Sequence, residues 1–178
     1  HSNSHSSFKD KVAMSNLCQE ITLPTTPIKG IDDPDGEIAL CILSAINVGA
    51  IGNLNELETL CDLSVRALDE IIELQDYPVK AAEVSTKSRR SLGIGYIGLA
   101  HYLAKNGVKY SDPKAWELVD RLSEAFQYYL LRASCDIAEE KGKCEYFDRT
   151  KYADGLLPID HYKKEVDEIV PHKQRMAW

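Results

Sequence analysis

The sequence predicts a helix-rich α/β fold, and three observations carry that expectation. Residues 38–51 are apolar nearly throughout, from Ile38, Ala39, Leu40, Cys41, Ile42 and Leu43 to Ala45, Ile46 and Val48, and the first half reads as a fully buried strand. From Asn55 the period changes, and Leu57, Leu60, Cys61, Ser64, Leu68, Ile71 and Ile72 recur at helical spacing. A longer stripe of the same kind follows at Trp116, Val119, Ser123, Phe126, Leu130, Ala133 and Ile137. Helix therefore outweighs strand.

Taken in order, residues 1–14 are polar, and His1-Ser2-Asn3-Ser4-His5 reads as a flexible terminus, although His1 and His5 also offer imidazoles to a metal. Pro24 to Asp35 is a loop with Asp-Pro and Asp-Gly turn signals. A buried strand is expected over residues 37–48 with Cys41 inside it, and helix is the ambiguity such runs carry. The helix over 55–75 takes Asn55 as N-cap, with Glu56 and Glu58 in the first turn where the dipole favours acids. Tyr77-Pro78 closes it. Residues 78–90, rich in Lys, Ser and Arg, read as an exposed connection, and a short helix is expected over 97–106.

Asp112 as cap and Pro113 at the first position open the longest helix, 113–141, which Gly142 stops. Tyr128-Tyr129 on it read as core or boundary residues. Residues 144–158 are irregular. A last helix over 159–169 presents Lys163, Lys164, Glu165, Asp167 and Glu168 as a solvated face. The chain opens at His1 without a methionine and ends on the apolar Met176-Ala177-Trp178, from which further chain is expected.

With 178 residues, 44% of them hydrophobic, the chain can bury the core of one ordinary domain. A net charge of −7, with no basic stretch beyond Lys87-Ser88-Arg89-Arg90, argues against a general nucleic-acid binder. No apolar run approaches the roughly 20 residues that span a bilayer, and no signal-peptide pattern opens the chain. Cys18, Cys41, Cys61, Cys135 and Cys144 form no CxxC pair, which argues against a zinc site or a secreted disulfide framework. A reducing compartment fits, and Cys61, on the helical stripe, reads as structural.

Ser15-Asn16-Leu17-Cys18-Gln19-Glu20 carries the chemistry. Asn16, Cys18 and Glu20 alternate, so an extended segment would turn all three to one side, whereas helix would scatter them. Pro24 and Pro27 nearby favour the extended option. An amide that orients, a sulfur centre and a possible base then converge, although a loop with one buried cysteine fits the same triplet.

Gly93-Ile94-Gly95-Tyr96-Ile97-Gly98 matches GxGxxG. A dinucleotide loop needs a buried strand before it and an acidic residue about 20 positions on. Ser85–Ser91 is polar, and Asp112 stands at a helix start. Close backbone packing is the expected use of these glycines.

Several motifs together resemble the large subunit of class I ribonucleotide reductase. They are Ser15-Asn16-Leu17-Cys18-Gln19-Glu20-Ile21, Gly36-Glu37-Ile38-Ala39-Leu40-Cys41, Arg89-Arg90-Ser91-Leu92-Gly93-Ile94-Gly95, Gln127-Tyr128-Tyr129-Leu130-Leu131 and Gly155-Leu156-Leu157-Pro158-Ile159-Asp160. The resemblance runs in order over nearly the whole chain. It implies a partial catalytic domain over 1–178, the central segment of a ten-stranded α/β barrel, with a finger loop at about 14–24.

Site roles follow from the resemblance. Cys18 matches the cysteine that becomes a thiyl radical and takes the ribose 3′-hydrogen. Glu20 matches the base for the 3′-hydroxyl proton, and Asn16 the amide that hydrogen-bonds the sugar hydroxyls, so Asn16, Cys18 and Glu20 are also the substrate-binding set. Cys41 matches one member of the redox pair that ends as a disulfide. Its partner cysteine is expected before His1, since none of Cys61, Cys135 or Cys144 fits by motif.

The resemblance also implies partners: the remaining large-subunit segments, a small radical-generating subunit, ribonucleoside diphosphate, and thioredoxin or glutaredoxin. No direct nucleic-acid or membrane contact is expected, and the location is cytoplasmic. No cofactor or metal is expected on this segment; the family keeps a metal-tyrosyl radical in the small subunit and binds nucleoside triphosphate effectors elsewhere. Alone, the segment should be inactive and should associate through the apolar face of Ile38–Ile51. The alternatives are a noncatalytic helical interaction domain, a dinucleotide-binding module, and a glycyl-radical or cobalamin-dependent reductase.

Overall fold

The computed structural model describes residues 4–6 and 9–161. These residues form two compact units: one from those described up to 42, with 71–91 and 143–161, the other from 43–70 and 92–142.

The second unit holds the sheet. Strand β1 (Ile42–Asn47) pairs with β2 (Leu92–Ile97) in a two-stranded parallel sheet. Helix α1 (Glu56–Leu74) and helix α2 (Lys80–Arg89) lie between the strands in sequence, as a parallel pair requires a long crossover. Helix α3 (Leu99–Lys105) follows β2 directly, and α4 (Pro113–Lys141) is the span the spacing predicts. Ile46, Val48, Leu57, Cys61, Leu122 and Phe126 form the main core, with Ile94 and Tyr96 of β2 packed against it. Val65, Ala133 and Ile137 extend the seam between α1 and α4. Arg66 closes its surface, with two nitrogens on Glu140 at 2.7 and 2.8 Å and its Nε on Asp62 at 2.9 Å.

Several sequence expectations change here. The strand expected over 37–48 is only Ile42–Asn47, and it is not buried on both faces: Ile46 is buried while Leu43 is exposed. Among the described residues the sheet has two strands, and core residues cover one face of β1, so its side chains alternate. Cys41 precedes the strand rather than lying inside it. In α4 the buried line starts at Ala115, and Trp116 is 69% exposed. One residue is about 100° of helix, enough to turn the indole away from the Leu122 and Phe126 side. The carboxylate of Asp112 accepts from the Lys109 N–H at 2.8 Å and makes no cap bond to α4. Helix α1 begins directly after Asn55, whose carbonyl accepts from the Glu58 N–H at 3.3 Å, while Glu56 accepts from the Gly52 and Asn53 N–H groups ahead of it.

The first unit is built mainly of loops around α2. Residues 80–89 were expected as an exposed connection and are instead a helix with Ala81, Ala82, Ser85, Thr86 and Ser88 buried. Its inner face is made of small residues, which carry no hydrophobic periodicity to read. Lys80 and Lys87 both pair with Glu83, at 2.9 and 3.2 Å, at the i,i+3 and i,i+4 spacings that support a helix. The terminus is likewise ordered where described: Ser6 is buried, Ser4 Oγ donates to the Thr22 carbonyl, and His5 stacks on Tyr152 at 5.7 Å. His1 lies outside the described residues. So does most of the helix expected over 159–169, including Lys163, Lys164, Glu165, Asp167 and Glu168; Pro158–His161 is a 3₁₀ turn.

Candidate active site

Asn16, Cys18 and Glu20 belong to the first unit and are exposed. They do not lie on an extended segment. The Gln19 N–H donates to the Asn16 carbonyl at 3.1 Å, closing a turn with Leu17 and Cys18 at its tip. Gln19 takes a φ of 64°, in the left-handed region that a side chain disfavours. Alternation is therefore the wrong reason for the convergence of Asn16 and Glu20. The turn folds the chain back, and the Asn16 amide donates to the Glu20 carboxylate while its Oδ1 accepts from the Ile21 N–H at 3.0 Å. Both ends of the amide are used, so the carboxylate is held in one orientation.

Cys18 is exposed, which removes the reading of a loop around one buried cysteine. Leu17 beside it is 96% exposed. Cys41 is half-buried at the entry to β1. Burial pushes its thiol above the ordinary range, and the Glu20 carboxylate pushes it further. Glu20 thus acts on both Asn16 and Cys41. This site holds an oriented carboxylate, an exposed thiol and a second thiol kept protonated.

Sequence reasoning missed a group of charges close by in the chain. Glu37 and Arg89 are buried and paired through both arms of the guanidinium, at 2.7 and 3.0 Å, and Arg89 also donates to Asp10 at 2.7 Å. Composition reads these as surface charge; only their burial marks them. The rest of the basic stretch is paired as well, Lys87 with Glu83 and Arg90 with Glu73.

The other singled-out residues separate from this site. Cys61 is fully buried, and burial pushes its thiol up to about 11. Tyr128 and Tyr129 meet edge to face at 5.4 Å, and both are half-buried on α4. Gly93 and Gly95 lie inside β2, and Gly98 is the single residue between β2 and α3, so no glycine loop stands between strand and helix to cradle a phosphate. Close packing explains Gly98, where an added Cβ would fall 2.3 Å from Asn47 Oδ1, but not Gly95, which has open space. Among the described residues no helix is long and apolar enough to cross a membrane.

Comparison with known proteins points to one family. The family model of the ribonucleotide reductase barrel domain matches residues 1–178. The ribonucleoside-diphosphate reductase subunit alpha of Buchnera aphidicola subsp. Schizaphis graminum is 56% identical, over 100% of this chain and 24% of the relative. That of Haemophilus influenzae is also 56% identical with the same coverage, and ribonucleoside-diphosphate reductase 1 subunit alpha of Escherichia coli is 52% identical. The chain spans about a quarter of the length of these curated relatives. Its helix-rich α/β fold, its ordered motifs and these matches place the chain in the ribonucleotide reductase barrel-domain family.

Proposed function

We propose that this chain is the part of a ribonucleoside-diphosphate reductase large subunit that carries the finger-loop cysteine, and that it serves the reduction of ribonucleotides to deoxyribonucleotides for DNA synthesis. The observation that carries the reading is the turn at residues 16–20, with Cys18 exposed at its tip and Glu20 held by Asn16. Family membership supplies the reaction class.

In this reading the Cys18 sulfur radical takes the 3′-hydrogen of the ribose. Glu20 receives the 3′-hydroxyl proton, which is base catalysis by a group already oriented. The resulting carbon radical makes loss of the 2′-hydroxyl, which leaves as water with a proton from one thiol of the redox pair, far easier than heterolysis from an intact sugar. Asn16 serves two partners, Glu20 and the sugar hydroxyls. Cys41 and a second cysteine supply two electrons as thiols and end as a disulfide. Cys41 suits that task because its raised pKa keeps it a thiol, with a hydrogen to give, until it is called on.

The radical originates in a separate small subunit, and no metal or cofactor is assigned to this segment. Thioredoxin or glutaredoxin would regenerate the dithiol, in the cytoplasm. The test is ribonucleoside diphosphate reduction by the complete large subunit bearing this segment, mixed with its small subunit. Deoxynucleotide from the native protein and none from Cys18→Ser supports the reading. Equal product from both refutes it.

A further inference from the structure

We infer that Arg89 is a positioning residue: it ties together the two ends of the loop that carries Asn16, Cys18 and Glu20, and so sets the place of that loop relative to Cys41. The inference rests on the reading of Cys18 and Cys41 given above.

The loop runs from Lys11 to Gly36, and its described backbone contains no helix or strand. A loop so long needs an anchor if its tip is to present a thiol and a carboxylate at fixed places, because its own turns do not define where its base lies. Asp10 stands at one end and Glu37 at the other. Arg89 takes both: Nε and Nη2 donate to the two Glu37 oxygens at 2.7 and 3.0 Å, and Nη2 also donates to Asp10 at 2.7 Å. The side chains of Arg89 and Glu37 are only 5% and 7% exposed, so the clamp works where water competes least.

Everything around the clamp is fixed in turn. Arg89 ends α2, whose inner face is buried. The Glu37 backbone exchanges hydrogen bonds with Thr26 at 3.0 and 3.1 Å, and the Ile38 N–H donates to the Ala81 carbonyl of α2 at 3.1 Å. Tyr146 lies against both Arg89 and Arg149, at 5.1 and 3.7 Å, and Arg149 approaches Glu37 and Asp10 at 3.7 and 3.8 Å. Cys41 follows Glu37 by four residues, so one guanidinium governs the chain on either side of the site. A pair serving stability alone needs only two partners. This one joins three segments, and two of them are the loop's ends.

The test uses the complete large subunit carrying this segment, with Arg89→Lys, which keeps the charge and loses the fork, and Asp10→Asn, which frees one end of the loop. The first readout is the pH profile of Cys41 alkylation by iodoacetamide in the reduced protein, a measurement that needs no substrate. With the loop in place, burial and, after it, the Glu20 carboxylate hold the Cys41 thiol up. Release of the loop should move the profile to lower pH. Glu20→Gln should move it by itself, and Asp10→Asn added to Glu20→Gln should move it further only by what it takes from the burial of Cys41. The second readout is turnover with the small subunit, expected to fall about tenfold or more in both clamp variants, measured well below their melting temperatures. Unchanged profiles and turnover in both variants overturn the inference. Should native protein reduce no ribonucleoside diphosphate, the proposed function falls while the alkylation profile still decides the role of Arg89.

Discussion

Asn16 and Glu20 are joined by a hydrogen bond across the turn that lifts Cys18 to its tip, and the same amide receives the Ile21 N–H. A carboxylate held this way keeps its free lone pairs aimed at one place. Glu20→Gln should therefore lower turnover of the complete reductase by about 10²–10⁴-fold, the range for loss of a positioned base. Asn16→Ala should cost less, since the carboxylate remains but wanders. Because they share one hydrogen bond while Asn16 also serves the sugar hydroxyls, the double variant should be slower than Glu20→Gln alone, but by less than the product of the two single penalties. Multiplying penalties in steady-state assays would show that the hydrogen bond is incidental.

The five cysteines should separate by reactivity. Cys18 and Cys135 are exposed and should be alkylated first. Cys41 and Cys144 follow, each half-buried with burial raising the thiol. Cys61 comes last, because a thiol at about 11 with no exposure has roughly a hundredfold less thiolate near pH 8 than an ordinary one, and reagent cannot reach it. Timed iodoacetamide labelling read by mass spectrometry gives the order directly. Early labelling of Cys61 in folded protein would contradict the packing of α1 on α4.

How far the fold is legible in the sequence depends on what marks each element. Helix α4 is bounded by Pro113 and Gly142, signals of backbone geometry that survive any context, and it spans the residues expected. Helix α2 was missed because its buried face is Ala81, Ala82, Ser85, Thr86 and Ser88, residues that pack closely without looking hydrophobic. At the site, the types Asn, Cys and Glu were readable, but the geometry that unites them was not: alternation suggested an extended face, and a turn closed by Gln19 performs the task. Arg89 and Glu37 stand in the family motifs, but their pairing was not readable, since nothing in a sequence tells a buried charge from a solvated one.

The phase of α4 gives a stability test. Leu122 is fully buried against α1, so Leu122→Ala should destabilise this chain by about 2–5 kcal/mol through lost burial and the cavity left behind. Trp116 is larger, and the apolar pattern alone put it on the buried stripe, yet it is 69% exposed. Trp116→Ala should change stability by no more than about 0.5 kcal/mol. Urea unfolding of the two variants decides the phase. A Trp116→Ala cost equal to that of Leu122→Ala would mean the helix is turned by one residue.

His5 provides a pH signature. Burial holds its pKa below the ordinary 6.5, and the positive fields of Arg89 and Lys151 hold it lower still. The unfolded chain then binds the proton more readily than the folded one, so stability is complete above about pH 6.5 and declines as pH falls through that value, levelling only below the depressed folded pKa. Urea midpoints measured between pH 7.5 and 5.5 should fall for the native chain. His5→Phe keeps a ring against Tyr152 and removes the titration, so its midpoints should stay flatter over the same window. An equal decline in both would assign the effect to other groups.

Gly98 and Gly95 occupy the same GxGxxG match and should respond in opposite ways. Gly98 has a φ of 79°, and a Cβ there would sit 2.3 Å from Asn47 Oδ1 and 3.0 Å from the Gly49 nitrogen. Both strain and clash oppose a side chain, so Gly98→Ala should cost well over the ~1 kcal/mol of the left-handed conformation alone. Gly95 lies inside β2 with no atom within 4 Å of an added Cβ, and its freedom serves no visible purpose. Gly95→Ala should be neutral or slightly stabilising, since alanine loses less backbone freedom on folding. A phosphate-cradling loop would need both glycines bare for the ligand's approach, and both changes would then weaken dinucleotide binding without a clear difference in stability. Thermal melts of the two variants, with and without NAD, distinguish the cases: a large drop for Gly98→Ala only, unaffected by NAD, identifies the glycine as a packing device at the joint between strand and helix.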